Sequence, residues 1–378
     1  MCDYRIILMI SSGEHNNLTI GSFGWVFYVL AFVLYTLQKY ANLMHPYILM
    51  TFDVSFIIYI GTYMSMRFFS VAGYVRPLTI RNKWWKYPLY SFAGFMGAYV
   101  SLHNFGQDFV NSFLLLAFCC LGTLAIKNWI EGILSQNIYM NAYKSMYFPL
   151  LTKFGIKLSR FDLICFCPSV TIVILYTFNK DLILNNICAI SFCLYVLKTI
   201  YIGKMSVGFI MLALFLMCDI YFIMVSNIMQ TLAVNLYGPI KLLYPVKDNK
   251  FALLVLEDVL VPGLLIALCL RIDLLFHLKR KLSSKSSIKN IFPESSKEFA
   301  KPYFIGSFIG YLLGFLLALI VSNIINVPQT ALLYLTPCTI LGIVVVALSR
   351  GEIRELMSID EENVIKKLME ENNVEVSK

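Results

Sequence analysis

The sequence predicts an all-α fold: a polytopic transmembrane helical bundle of about nine to ten spans. Three observations predict it. Of the 378 residues, 59% are hydrophobic and only 14% are charged, whereas soluble domains are about 45–50% apolar and about 25% charged. The mean hydropathy is +0.73. Ten stretches also approach the ~20 mostly apolar residues that a bilayer crossing needs. A soluble enzyme, a disordered chain and a repeat solenoid are thereby excluded.

In chain order the apolar stretches are 20–38, 47–66, 88–105, 108–127, 161–178, 182–202, 206–229, 251–270, 303–323 and 330–348. The first reads either as an extra helix or as a late signal sequence, and Asn17-Leu18-Thr19 before it is a glycosylation sequon. Three connecting segments are basic: 67–87, 128–160 and 277–301. An even number of crossings separates each from the next, so all three fall on one side, the cytosol by the positive-inside rule. Residues 351–378 carry eight acids against four bases and fall on that side too. The chain therefore divides into an N-terminal segment (1–86) with one or two spans, two membrane halves (87–202 and 203–350), and an acidic cytosolic tail (351–378). Within the tail, Val364, Ile365, Leu368 and Met369 recur at helical spacing, which reads first as a solvated charged helix. The excess of Lys and Arg is a topology signal and does not point to nucleic acid.

Nine of the ten cysteines sit in or beside apolar stretches with no disulfide or zinc spacing, so they read as small apolar packing residues. Gly306, Gly310 and Gly314 recur every four residues, the spacing of a close helix–helix contact. Pro262 interrupts the backbone hydrogen bonding of its helix. That reads equally as a kink that admits water and unwound substrate, or as the ordinary tolerance of membrane helices for proline.

Charged groups inside spans are the informative ones, since each costs ~2.5–3.5 kcal/mol on insertion scales. Stretch 206–229 has one, Asp219, and stretch 251–270 has two, Glu257 and Asp258. The stretches are consecutive, hence antiparallel. Asp219 lies ten residues before the end of its stretch and Asp258 about eight into the next. At ~1.5 Å per residue both lie ~12–15 Å below the same surface and can face each other. Two carboxylates in a low dielectric cannot both ionise cheaply, so they share a proton. One can then take a proton from water while the other donates to a scissile carbonyl. From the acids alone, a structural polar pair and an ion-binding pair of a transporter stay open.

The segments around them, CDIYFIMVSNIMQTLAVNLYGPIKLLYP (218–245), LVLEDVLVPGLLIALCLRID (254–273) and QTALLYLTPCTILGIVVVALSRGEIRELMS (329–358), resemble the signal peptide peptidase family of presenilin-type intramembrane aspartyl proteases. FDLICF (161–166), the Asn185-Asn186 pair and the basic 277–301 loop agree as well, so the resemblance covers roughly residues 86–358. It implies that Asp219 and Asp258 are catalytic, at the aspartates of the YD and GxGD motifs, and that Thr330, Ala331 and Leu332 bind substrate at the PAL position. The motifs diverge. Cys218 stands for the tyrosine, Val255-Leu256-Glu257 precedes Asp258 without glycine, and Thr330 stands for the proline. Val255 and Glu257 fill space that glycine leaves open. Glu257 is ~100° around the helix from Asp258, a further carboxyl that need not enter the dyad. Losing the proline permits helix where an extended substrate-pairing segment is expected.

The resemblance implies a multi-pass protease of the endoplasmic reticulum membrane that cleaves remnant signal peptides and type II transmembrane segments without metal or organic cofactor. Its partners are then transmembrane helical peptides and the lipid bilayer, with homo-oligomerisation left open. The divergent motifs raise a second expectation, a degenerate relative that binds membrane helices in quality control. A carboxylate-based ion carrier ranks last. There is no HExxH, no GxSxG and no Gly-rich phosphate loop, which argues against zinc and serine proteases and ATP-driven pumps.

Overall fold

The helix that carries Asp258 lies at the centre of the bundle. In the computed structural model, the residues described are 46–71, 78–80, 86–134, 160–225, 238–245, 251–283, 299–325, 329–361 and 364. The 20–38 stretch, the Asn17 sequon, residues 226–229 and the tail beyond Val364 lie outside them. The elements are α1 (Pro46–Val71), β1 (Leu78–Ile80), α2 (Lys86–Phe105), α3 (Gln107–Leu134), α4 (Arg160–Asn179), α5 (Leu182–Thr199), β2 (Ile200–Ile202) and α6 (Met205–Ile220). There follow β3 (Lys241–Pro245), β4 (Phe251–Val255), α7 (Glu257–Ser283), α8 (Pro302–Ile325), α9 (Leu332–Arg350) and α10 (Ile353–Ser358).

The fold is the expected polytopic helical bundle. Eight of these helices are long and apolar enough to cross a membrane. The stretch 88–105 does form a helix, α2, but it is not among those eight. Its Gly, Ser, Tyr and His content dilutes its hydropathy.

Between Val259 and Leu270 α7 is apolar on every side, and its span is buried along nearly its whole length, as a helix without a polar face should be. It packs against α1, α5, α6, α8 and α9. The outer helices instead leave rows of Leu, Ile, Val and Phe exposed, such as Leu313, Leu317 and Ile320 on α8 and Leu341, Val345 and Leu348 on α9. Inside a bilayer these rows meet lipid, and little hydrophobic force remains to draw helices together.

Close backbone packing supplies the contact between α8 and α9. A Cβ added at Gly310 would overlap the Cys338 carbonyl, and one at Gly342 would overlap the Gly306 carbonyl. A Cβ at Gly314 would come within 2.8 Å of the Tyr334 carbonyl. The glycine repeat is thus a helix–helix seam, with Gly342 as its counterpart on α9.

Two small sheets interrupt the helices and correct two stretch boundaries. Stretch 182–202 divides into α5 and β2, and β2 pairs in parallel with β1 (Leu78↔Ile200). Stretch 251–270 divides into β4 and α7. Short runs such as Phe251–Val255 are apolar whether helix or strand, so hydropathy cannot separate them. β3 and β4 form an antiparallel hairpin with Lys241 opposite Val255. Asn185 and Asn186 hold the hairpin to α5. The Asn185 amide donates to Lys241 O (2.9 Å) and the Asn186 amide to Leu243 O (2.8 Å). Leu243 N–H returns a bond to Asn186 Oδ1 (2.9 Å), so the Asn186 side chain imitates a neighbouring strand.

The tail starts with a short and mostly exposed helix, α10, and then turns inward, while the helical spacing beyond Val364, to Met369, lies outside the described residues. After α9 ends at Gly351 in the left-handed region (φ 66°), Leu356, Ile359, Asp360 and Glu361 are buried. Glu361 Oε1 accepts from Nε of the fully buried Arg271 on α7 (2.8 Å), and Arg271 Nη1 donates to Ser65 Oγ (2.5 Å). The Tyr201 ring lies 4.6 Å from the guanidinium, and Lys204 pairs with Asp360 (3.4 Å). Arg280 on α7 donates to Glu352 (2.8 Å) and Lys279 to Glu355. One end of the bundle thus gathers β1, β2, the foot of α7 and the tail. Hydropathy registers the tail's charges but not their buried partners on other elements.

Candidate active site

Asp219 is on the last turn of α6, 3% exposed, and the chain immediately widens into a π-helical turn, Tyr221–Val225. Such turns concentrate at functional positions because they redirect the groups beside them. On the other side of the hairpin, Leu256 N–H donates to Ile240 O (3.2 Å), and α7 begins at Glu257. Asp258 is therefore the second residue of its helix rather than the eighth. The depth estimate from uninterrupted helices is replaced by a meeting of helix ends. The two aspartates still come together, and their carboxyl groups interact electrostatically.

The N-terminus of α9 closes the cluster. Thr330 Oγ1 donates to Asp219 Oδ2 (2.7 Å) and accepts the Leu332 backbone N–H (3.2 Å). The same Leu332 N–H reaches the Asp258 carboxyl. Four N–H groups at a helix start have no partner within the helix, so this end offers donors to carboxylates, and the helix dipole acts in the same sense. Thr330 is 8% exposed and Leu332 is fully buried. Ala331 adopts helical angles (φ −65°, ψ −29°), so where the family has proline before an extended segment this chain starts a helix.

Glu257 joins the cluster as well, and its carboxyl interacts with both Asp219 and Asp258. Its Oε1 and Asp219 Oδ1 are buried without a hydrogen-bond partner among the described residues. Half-buried Cys218 precedes Asp219 and interacts electrostatically with it and with Glu257. The 100° offset did not keep Glu257 out, because at the first turn of a helix the chain is still turning in from the hairpin.

Tyr311 on α8 is a site residue that sequence reasoning missed. Fully buried, it donates its hydroxyl to the Asp258 backbone carbonyl (3.2 Å). Pro262 is the available signal. Lacking an N–H, it leaves the carbonyl four residues earlier, that of Asp258, without its helical donor. Which element supplies a substitute is a matter of tertiary packing. The α7 helix continues past Pro262 to Ser283.

Chemically, the cluster offers two carboxyl groups from different helices, one with an oxygen that no described residue engages, beside a helix start. A water between them can be deprotonated by one while the other donates a proton or hydrogen bond to a carbonyl.

The family model described as signal peptide peptidase matches residues 82–363. The signal peptide peptidase of Mus musculus is 28% identical over 294 residues, 74% of this chain and 72% of that protein. The Homo sapiens signal peptide peptidase is 29% identical over 294 residues, 74% of this chain and 73% of its own. Intramembrane protease 2 of Caenorhabditis elegans is 27% identical over 218 residues, 55% of this chain and 44% of that protein. No solved structure matches the chain. With three-quarters of its length matched, the chain belongs to the signal peptide peptidase family.

Proposed function

We propose that this protein is an intramembrane aspartyl endopeptidase of the endoplasmic reticulum membrane, cleaving remnant signal peptides and type II transmembrane segments. Asp219 and Asp258 are the catalytic pair. The observation that carries the proposal is their convergence from α6 and α7 beneath the start of α9, linked by Thr330 and Leu332. Thr330, Ala331 and Leu332 border the substrate. The C-terminal tail lies in the cytosol with the basic loops.

A substrate helix keeps its amide carbonyls bonded internally, so it unwinds locally before attack. One aspartate takes a proton from water as the oxygen attacks the carbonyl carbon. The other protonates the carbonyl oxygen. Collapse of the gem-diol breaks the C–N bond as the nitrogen takes up a proton, with no covalent intermediate.

The test is cleavage of a type II signal-peptide segment by purified protein in liposomes between pH 5 and 8, with an active family member alongside. Wild type cuts, and Asp219→Ala and Asp258→Ala insert but do not. Undiminished turnover in either variant refutes the dyad.

A second reading, a degenerate relative that binds membrane helices without cutting them, is favoured by Val255 and Glu257 at the positions of the lost glycines. It predicts that the segment co-purifies uncut with wild type, and that aspartate substitutions leave its binding unchanged.

A further inference from the structure

The PAL resemblance makes Thr330 a substrate-binding residue, yet its hydroxyl is spent inside the protein. Thr330 Oγ1 lies 2.7 Å from Asp219 Oδ2 and 3.2 Å from the Leu332 nitrogen. The Leu332 N–H can only donate, so it occupies a lone pair of Oγ1. The hydroxyl keeps one proton and a second lone pair, and the proton is directed to Asp219 Oδ2, the acceptor at 2.7 Å. Proline, the family's residue here, has neither a hydroxyl nor an N–H and cannot form this bond.

Glu257 gives the bond its importance. Three carboxyl groups, Asp219, Glu257 and Asp258, interact with one another. Such a group shares its protons, and an anion resting on Glu257 is useless for attack on a carbonyl between the aspartates. A fixed O–H donor favours the ionised form of the group it faces. Glu257 Oε1 has no such donor among the described residues.

We propose that Thr330 is a positioning residue that holds Asp219, rather than Glu257, as an ionised, water-activating carboxylate of the cluster. The two departures, proline to Thr330 and glycine to Glu257, are then a matched pair: the second adds a competing carboxyl group and the first selects among the three. This assignment rests on the protease reading.

The test uses full-length protein in liposomes. Thr330→Val and Thr330→Ala lower kcat about 10- to 100-fold, the range for a hydrogen bond to a charged group, with KM within about twofold. Thr330→Ser keeps the hydroxyl and restores kcat. In a Glu257→Gln background the Thr330→Val loss shrinks, because the competitor is gone. A Thr330→Val enzyme with wild-type kcat overturns the proposal while leaving proteolysis intact.

A second measurement is independent of turnover. In infrared difference spectra of aspartate-labelled protein at neutral pH, the band lost on Asp219→Asn is a carboxylate band, and it shifts in Thr330→Val. Finding that band among protonated carboxyl groups, or unmoved by Thr330→Val, overturns the proposal. If wild type cuts nothing, the protease reading fails and the spectra still decide what Thr330 does to Asp219.

Discussion

The Tyr311 hydroxyl donates to the backbone carbonyl of Asp258 across 3.2 Å, taking the place of the N–H that Pro262 lacks. The proline frees a carbonyl at the base of a candidate catalytic residue, and a neighbouring helix claims it. Asp258 is thereby tied to α8 through its own main chain.

Tyr311→Phe keeps the ring and removes the donor, leaving a buried carbonyl unsatisfied at about 1–3 kcal/mol. Thermal unfolding in detergent should shift down accordingly, and cleavage should fall as Asp258 loses its anchor. Pro262→Ala restores an intrahelical donor, so Tyr311→Phe should cost markedly less in that background. Equal costs in both backgrounds would show that the bond does not compensate for the proline.

Asn186 should be intolerant of carboxylate. Asn186→Asp retains an acceptor for Leu243 N–H but loses the donor to Leu243 O and places a carboxylate against that carbonyl. The β3–β4 hairpin should loosen and become cleavable by added protease between residues 241 and 255, with a matching drop in kcat/KM, since α7 starts two residues after β4. A hairpin as resistant as wild type would assign its order to other contacts.

The α8–α9 seam should reject even a methyl group. In Gly310→Ala and Gly342→Ala the added carbon meets backbone carbonyls of the facing helix, which can yield only if the helices separate. Separation displaces the start of α9 from the aspartates, so activity should fall at least as much as stability. Gly94→Ala and Gly97→Ala on α2, where an added Cβ meets nothing within 4 Å, should be neutral or stabilising by about 0.5–1 kcal/mol. Parallel cleavage and melting curves for the four variants separate these outcomes.

Breaking the Arg271–Glu361 pair one partner at a time should be severe, about 3–5 kcal/mol for Glu361→Ala, because a fully buried guanidinium loses its carboxylate. Arg271→Met with Glu361→Leu should recover most of that loss. A double variant no better than Glu361→Ala would mean that Ser65 and Tyr201 set the conformation of this end.

Sequence reasoning reached the helical spans and the two aspartates, because an apolar run of about twenty residues and an acid within it are local facts. It also reached the glycine seam, whose spacing is visible on α8 alone. What escaped were features defined by partners far along the chain. Asp219 meets Thr330 across 111 residues, and the Asn185-Asn186 pair finds its role only through β3, more than fifty residues on. Phe251–Val255 is a strand because β3 lies beside it. The helical depth of Asp258 was misjudged for that reason, although its partner was not.

The carboxylate that meets Arg271 arrives 90 residues later in the chain. During biosynthesis, α7 therefore enters the bilayer before its counter-charge has been translated. The helix that bears Asp258 completes its buried contacts only once Glu361 has left the ribosome. Chains stalled short of residue 361 therefore hold the Arg271 guanidinium without its carboxylate.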